Sequence, residues 1–460
     1  MGNRINSKKK MISSEKKNNN NTNANKNNEN TNVIKINSNN DEKQKNAGNN
    51  NNKNEIIINN EDSTKNNEEY FDISYTGFKS HYNNCELAIQ NDAKNLKTMK
   101  LPPNNRDLLW KIFLGVLPYK SSEDWNKIID EERKKYLGLK KKFFTKDIED
   151  FVVTQKVKDK YSAYFKFKEI LSKEDYNFLD IIKVDVTRTF QKVELFKQEK
   201  IQKTLINVLF VFAKTNKDIG YRQGMSDLCA IFLYALYKER ILDSSFIKDN
   251  ISFLFYLLYS NNEYLEHDTF ILFSRFMKKG YINFFLHNDE KYMNGLLSTM
   301  ESQNRKNLKK DEIINANDSE LKKRIFLVYY HEFPLADKQL YQFMVDKIDP
   351  EIFMVRWYLC IFSREVPLPQ LLELLDLILY QQFLEEKNKP KNKNESNNYY
   401  KFVDYIVLSL LINVKALIMN KKKNSELMSF LMKYPKDIEF KNIYLKSIEI
   451  YNKNKSNIKI

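Results

Sequence analysis

Glycine and proline are scarce throughout this chain, which contains only nine of each in 460 residues. Folds rich in β-sheet use both residues at their turns. The segment LLELLDLILY, residues 371–380, instead repeats apolar residues at helical spacing, with Glu373 and Asp376 on one face. The same spacing occurs in residues 202–215, 225–238, 251–260, 268–279 and 402–419. The sequence therefore predicts an all-α body built from many helices.

The N-terminal part of the chain has a different composition. Residues 1–69 contain no aromatic residue, and Asn accounts for 25 of the first 70 residues. Such a segment cannot bury enough apolar surface to offset the entropy lost on ordering, so we expect it to be disordered. We divide the chain into a low-complexity tail at 1–69, an ordered lead-in at 70–94, a folded domain at 95–438 with polar loop insertions at 301–323 and 387–398, and a helical or frayed tail at 439–460.

Charge and cysteine usage narrow the class of partner and compartment. The net charge of +16 suits an anionic partner. No Arg/Lys block is interleaved with aromatic residues, so no nucleic-acid partner is predicted. The three cysteines and four histidines are scattered, which predicts neither a disulfide framework nor a metal site and fits the cytoplasm. The longest apolar stretch, 402–419, is interrupted by Asp404, Asn413 and Lys415 and predicts a buried helix of a soluble protein.

The first ten residues, MGNRINSKKK, differ at one position from a myristoylation signal. Gly2 is present, but Asn6 stands where Ser or Thr is preferred. An acyl chain combined with a basic patch can hold a protein on a membrane, whereas one chain alone binds weakly. Two alternatives stay open: peripheral membrane contact through a lipidated, basic N-terminus, or a solvated polar tail.

Several common catalytic motifs are absent from the sequence. It contains no GxxxxGK[S/T] or GxGxxG loop for binding phosphates, and no HRD, DFG, GxSxG or HExxH motif. If the protein acts on a nucleotide, we therefore expect another molecule to bind that nucleotide.

The segment LDIIKVDVTRTF, residues 179–190, places Asp185 three residues before Arg188. In a helix the two side chains would be neighbours, and the carboxylate would hold the guanidinium in one orientation. An exposed arginine held in this way suits anionic oxygens. The alternation of apolar Ile182 and Val184 with polar residues also fits a half-buried strand, and an ordinary surface ion pair is a further alternative.

The segment IGYRQGMSDLCAIFLYALY, residues 219–237, places Gln223 in a short polar turn before an amphipathic helix. Gly220 and Gly224 bracket the turn and permit backbone conformations that other residues avoid. A glutamine amide both donates and accepts hydrogen bonds, so it can hold a water molecule. The alternative is a simple turn between helices.

Together these segments resemble the TBC domain family, the GTPase-activating proteins of Rab GTPases. The stretches 266–277 and 356–376 are also similar to the second half of that family, and the resemblance covers about 95–438. The sequence departs from the family pattern at Gln191, where proline is usual, and at Leu375, where tryptophan is usual. The motifs occur in family order: RxxxW at Arg106 and Trp110, IxxDxxR at Ile182, Asp185 and Arg188, and YxQGM at Tyr221, Gln223, Gly224 and Met225.

The resemblance implies a multi-helix domain of two helical subdomains and a dual-finger mechanism. The partner Rab would bind GTP and Mg²⁺, and this chain would need no cofactor of its own. Arg188 would stabilise the charge that develops in the transition state, and Gln223 would position the attacking water. Asp185 and Tyr221 would support these two residues, whereas Arg106 and Trp110 would be structural.

Within the family, NEYLEHDTF at 262–270 and the C-terminal VDYIVLSLLINVKALI region look most like the member-five branch. That branch is associated with late-endosomal Rab proteins and the retromer coat. The resemblance therefore implies a role at endosomal or vesicular membranes and a retromer-type coat as a further partner. The alternative is a catalytically weak scaffold that binds a Rab or coat.

Overall fold

The computed structural model describes residue 91 and residues 106–153, 170–240, 261–286, 319–388 and 399–457. The predictions for 1–69, for nearly all of 70–94 and for the helix at 251–260 lie outside these ranges. So does most of each predicted loop insertion. All regular secondary structure in the described residues is helical, which confirms the all-α prediction.

Within the described residues, the first helical subdomain contains seven α-helices. They are α1 (Arg106–Phe113), α2 (Trp125–Phe143), α3 (Lys146–Val153), α4 (Lys173–Arg188), α5 (Glu199–Thr215), α6 (Met225–Glu239) and α7 (Leu265–Lys278). Two 3-10 helices, Glu194–Lys197 and Tyr281–Phe285, lie between or after them.

The second subdomain is built from shorter and more irregular elements. They are α8 (Glu320–Phe326), a π-helix (Leu327–Glu332), α9 (Phe333–Ala336), α10 (Lys338–Met344), α11 (Glu351–Leu359), α12 (Leu368–Asn388), α13 (Phe402–Asn413), α14 (Lys415–Met419), α15 (Asn424–Met432) and α16 (Phe440–Asn457). The long α12 packs against α1, α6 and α13, so it contacts both subdomains.

The core of the first subdomain lies where α5, α6 and α7 pack together. Leu205, Leu209 and Phe212 of α5 are fully buried there. Burying one such side chain contributes roughly 1.5–3 kcal/mol to the stability of the fold. The packing of α5, α6 and α7 therefore stabilises the position of the helices that contact them. Helix α4 packs along α5 and touches α6, which places the end of α4 beside the start of α6.

Two segments differ in detail from the sequence predictions. The stretch 402–419 is two helices rather than one, because Val414 leaves the helical conformation after Asn413 has bonded back to the Ser409 carbonyl at 2.9 Å. The predicted loop 301–323 ends inside α8, since the Ser319 hydroxyl caps that helix. Helix α16 lies within residues 439–460, for which the sequence predicts a helical or frayed tail, and it packs against α13. Within the described residues, no helix combines the length and apolar character needed to cross a bilayer.

Candidate functional site

Helix α4 carries Arg188 as its last residue. The Ser172 hydroxyl accepts a hydrogen bond from the Asp175 amide at 3.0 Å and starts the helix. Its buried face, which includes Tyr176, Leu179 and Ile182, has helical rather than strand spacing, so the strand alternative is wrong. The helix ends where Thr189 turns extended, and the Thr189 hydroxyl donates to the Asp185 carbonyl at 2.8 Å.

Asp185 has a buried carboxylate that accepts hydrogen bonds from two residues in different parts of the chain. One oxygen accepts the Nε–H of Arg188 at 2.9 Å and a second, shorter bond from the same guanidinium. The other oxygen accepts the Tyr221 hydroxyl at 2.8 Å. The side chain of Asp185 is 3% exposed, whereas that of Arg188 is 46% exposed. Asp185 therefore anchors one edge of the guanidinium and leaves the rest facing solvent.

Tyr221 links the end of α4 to the turn that carries Gln223. Its side chain is buried. Burial and the negative charge of Asp185 raise the pKa of Tyr221 well above its usual value, so the hydroxyl keeps the proton that it donates. Because this bond joins residues 36 positions apart, it fixes the turn relative to α4.

The turn itself depends on its two glycines. Gly220 has φ +62°, and Gly224 has φ +99° immediately before α6 begins. Both values lie in the left-handed region that favours glycine. Between them Arg222 and Gln223 are exposed. No residue in the described ranges forms a hydrogen bond with the Gln223 side chain, so its amide faces outward, beside the positive end of α6.

Arg106 and Trp110 lie in a different network, which joins three helices. The Arg106 guanidinium donates from Nε to Oδ1 of Asp376 and from Nη2 to Oδ2 of Asp376, both at 2.8 Å. It also donates from Nη1 to Glu239 at 3.1 Å. The Trp110 indole N–H donates to Asp376 at 2.7 Å. Burial raises the pKa of Asp376 above its usual value, against the opposing effect of Arg106. These contacts tie α1 to α6 and α12 and support a structural role.

The two departures from the family pattern are accommodated locally. Leu375, next to Asp376, is buried in the core. Gln191 is exposed, and its side-chain amide donates to the Thr187 carbonyl at 3.0 Å. Neither residue takes part in the contacts between Asp185, Arg188 and Tyr221.

The sequence matches the family model described as Rab-GTPase-TBC domain over residues 103–311 and 306–390, which is more than half of the chain. The chain belongs to this family.

Curated relatives and a solved structure agree with the TBC domain assignment. TBC1 domain family member 5 of Mus musculus is 27% identical over 358 residues, and TBC1 domain family member 5 homolog B of Dictyostelium discoideum is 33% identical over 174 residues. The predicted likeness to the member-five branch is thereby confirmed. The matched regions cover 75% and 38% of this chain but only 40% and 16% of those proteins.

The crystal structure of the Ypt/Rab-GAP domain of Gyp1p has the same fold. It matches with a TM-score of 0.55 and 17% sequence identity, over 82% of this chain and 98% of that domain. At this identity the likeness concerns the fold.

The TBC domain brings further residues to the site that sequence reasoning missed. The hydroxyl groups of Thr189 and Ser226 are hydrogen-bonded to each other at 3.0 Å, which joins the end of α4 directly to the first turn of α6. In the same turn, Asp227 accepts a bond from Arg364 at 3.0 Å. Asp227 and Arg364 lie 137 positions apart, so no local pattern could have paired them.

Proposed function

We propose that this chain is a GTPase-activating protein for a Rab-family small GTPase. The observation that carries the proposal is Asp185, which holds a half-exposed arginine and, through Tyr221, the turn of an exposed glutamine. Membership of the Rab-GTPase-TBC domain family and the fold of the Ypt/Rab-GAP domain support it.

In the proposed mechanism, Arg188 stabilises charge on the phosphoryl oxygens of GTP held by the partner. Negative charge builds on these oxygens in the transition state. An arginine supplied by a second protein accelerates such reactions by about 10³- to 10⁵-fold, or about 4–7 kcal/mol. Mg²⁺ and GTP belong to the partner, and this chain supplies no cofactor.

Gln223 would position the attacking water in place of a glutamine of the partner. Its amide can accept a hydrogen bond from the water and donate to a backbone carbonyl of the GTPase. The Tyr221–Asp185 hydrogen bond would keep this amide at a fixed separation from Arg188. Such preorganisation matters, since a misplacement of about 1 Å can lower a rate by about 10²-fold.

The partner would also touch the exposed face of α4. Ile181 and Val184 are about half exposed, and they precede Arg188 by seven and four residues, which puts all three on one helical face. Exposed branched side chains beside a polar finger suit a protein partner. We propose that this face packs against the GTPase when Arg188 reaches the nucleotide.

We place this activity at endosomal or vesicular membranes, where the likeness to the member-five branch supports a role in vesicle traffic. A retromer-type coat is a proposed second partner. Membrane contact through Gly2 and the basic N-terminus is also proposed. Mass spectrometry of native protein tests the lipid anchor, and an unmodified Gly2 would remove that proposal.

The deciding experiment is single-turnover GTP hydrolysis by a panel of Rab proteins, with and without this protein. Arg188→Ala and Gln223→Ala should each abolish most of the acceleration, by about 10³-fold for the arginine. Arg188→Lys keeps a cation beside Asp185 but lacks the planar fork, so it should also be slow while staying folded.

Arg275→Ala is the matched control for these variants. Arg275 is similarly exposed and pairs with Glu132 on α2, so its loss should leave the acceleration unchanged. If no Rab is accelerated by the wild type, the alternative of a catalytically weak scaffold is favoured. If Arg188→Ala is as active as the wild type, the finger assignment is wrong.

A further inference from the structure

A second half-exposed arginine lies beside the glutamine turn. Arg364 donates to Asp227 at 3.0 Å, and the side chain of Arg364 is 45% exposed while that of Asp227 is 3% exposed. These values nearly repeat those of Arg188 and Asp185. In both pairs, a buried carboxylate holds one edge of a guanidinium and the remaining edge faces solvent. A guanidinium has five N–H donors, so most of those on Arg364 are available to another molecule.

The loop that carries Arg364 touches the glutamine turn. A Cβ on Gly224, the residue after Gln223, would lie 3.5 Å from the Cys360 sulfur and 3.7 Å from the Leu359 carbonyl oxygen. Asp227 lies in the helical turn that follows Gly224. Arg364 is therefore tied to the same short segment that presents Gln223.

The two buried carboxylates influence each other electrostatically. Burial raises the pKa of the Asp227 carboxyl, the Arg364 guanidinium opposes that shift, and the charge of Asp185 adds to it. The two acids are thus within electrostatic reach of each other. Each arginine is thus held by a buried acid, and the Thr189–Ser226 hydrogen bond joins the segments that carry the two acids.

The backbone before Arg364 adopts a conformation that is costly for its residues. Helix α11 ends with the Phe362 amide bonded to the Trp357 carbonyl at 3.1 Å and the Ile361 amide bonded to the Tyr358 carbonyl at 3.2 Å. This cap usually has a glycine, but here Ile361 and Phe362 have φ +44° and +66° and are buried. Such strain persists where packing over-determines the chain, and it clusters at functional sites. Here the packed side chains set the direction in which the loop leaves α11 towards Arg364.

We propose that Arg364 is a docking residue that binds an acidic side chain of the GTPase and sets affinity for the partner. The inference rests on the proposed function, because it takes the surface of Arg188 and Gln223 as the face that meets the GTPase. The outward edge of a guanidinium matches a carboxylate in a two-pronged hydrogen bond. The net charge of +16 makes an acidic partner face complementary.

The test separates docking from catalysis by steady-state kinetics. Arg364→Ala should raise the KM for the GTP-loaded Rab about tenfold and change kcat by less than about twofold, because ground-state contacts contribute to binding alone. Arg364→Lys should recover part of the lost affinity, and Arg275→Ala should match the wild type. A fall in kcat at unchanged KM would overturn the proposal, since it would mean that Arg364 acts on the phosphates or merely positions Gln223.

A double variant tests whether Arg364 serves only to neutralise Asp227. Asp227→Asn with Arg364→Gln removes the buried charge together with its partner. If neutralisation were its whole role, the double variant would regain the wild-type KM, and the proposal would fail. If Arg364 contacts the GTPase, the KM stays raised about tenfold.

Binding measured without hydrolysis distinguishes failure of this inference from failure of the proposed function. The probe is the same Rab panel loaded with a non-hydrolysable GTP analogue, with affinities measured by calorimetry. A Rab that binds the wild type about tenfold more tightly than Arg364→Ala supports docking even if no Rab is accelerated. Equal affinity for both proteins, or no binding at all, overturns it.

Discussion

Asp185 is the residue on which the arrangement of the site most depends. It is buried, accepts bonds from Arg188 and Tyr221, and lies one helical turn before the arginine. An exposed ion pair contributes little to stability, about 0–1 kcal/mol. A buried carboxylate differs, because removing either partner leaves polar groups without bonds in a dry environment. Asp185 therefore contributes more to holding the site than an exposed ion pair would.

Asp185→Asn keeps the size of the side chain but removes its charge. We expect the activation of GTP hydrolysis to fall by about 10- to 100-fold, because Arg188 loses its fixed orientation. The free energy of unfolding should fall by about 1–3 kcal/mol. Single-turnover hydrolysis and thermal melting measure the two effects.

Tyr221→Phe provides the matched comparison for that variant. It removes one donor to Asp185 and leaves the arginine pair in place, so activation should fall by less than about tenfold. Full activity in Asp185→Asn would show that the guanidinium does not need its anchor.

At the scale of elements, the glutamine turn is set by backbone conformation. Gly220 and Gly224 both have positive φ, and the turn connects α5 to α6 with no regular structure of its own. The apolar side chains of α5 and α6 pack in the core on either side of the turn, and the two glycines allow the backbone to change direction between these helices. A side chain at Gly220 would meet the Phe178 ring at 2.6 Å.

Substituting glycines in different elements should change stability in opposite directions. Gly220→Ala should lower the free energy of unfolding by about 1–3 kcal/mol, owing to its positive φ and the contact with Phe178. Gly138→Ala, in the middle of α2 with nothing within 4 Å of the new Cβ, should raise it by about 0.5–1 kcal/mol. Chemical denaturation measures both. Equal effects would show that the turn conformation is not what requires glycine.

Short-range features of this fold could be predicted from the sequence, and long-range ones could not. The helices around residues 202–215 and 225–238 were evident because burial repeats within each helix. Asp185 and Arg188 were paired because they are three residues apart in one segment. The partner of Arg106 is 270 positions away, and the partner of Arg364 is 137 positions away. Such pairs depend on how whole helices pack, which periodicity does not encode.

At the scale of the molecule, buried charges connect helices that are distant in sequence. Arg106, Glu239 and Asp376 join α1, α6 and α12, and α12 also reaches the second subdomain. Burial raises the pKa of Glu239 from 4.5 to about 7, against the opposing effect of Arg106. The junction therefore contains an acid that titrates close to neutral pH.

This raised pKa gives the fold a pH dependence of defined sign. The folded state binds the Glu239 proton more tightly than the unfolded state does. The stability that this proton adds to the fold is therefore fully present below about pH 4.5 and is lost as pH rises through about 7. Relative to Glu239→Gln, the wild type should lose about 3 kcal/mol of stability across that window. Denaturant titrations at several pH values measure the difference.

Glu131→Gln, on the exposed side of α2, controls for the general loss of a carboxylate. A difference between wild type and Glu239→Gln that stays constant with pH would contradict the prediction.

The hydrogen bond between Tyr221 and Asp185 also bears on the order in which the molecule is made. The hydrogen bonds that join Asp185 to Arg188 and Tyr221 lie between Ser172 and Glu239, so these residues can meet while the ribosome is still translating the second half. Arg364 is translated much later, so its hydrogen bond with Asp227 can form only after the residues of the Asp185 network are all present. We therefore expect a nascent chain to form the contacts of Asp185 with Arg188 and Tyr221 before the contact of Asp227 with Arg364.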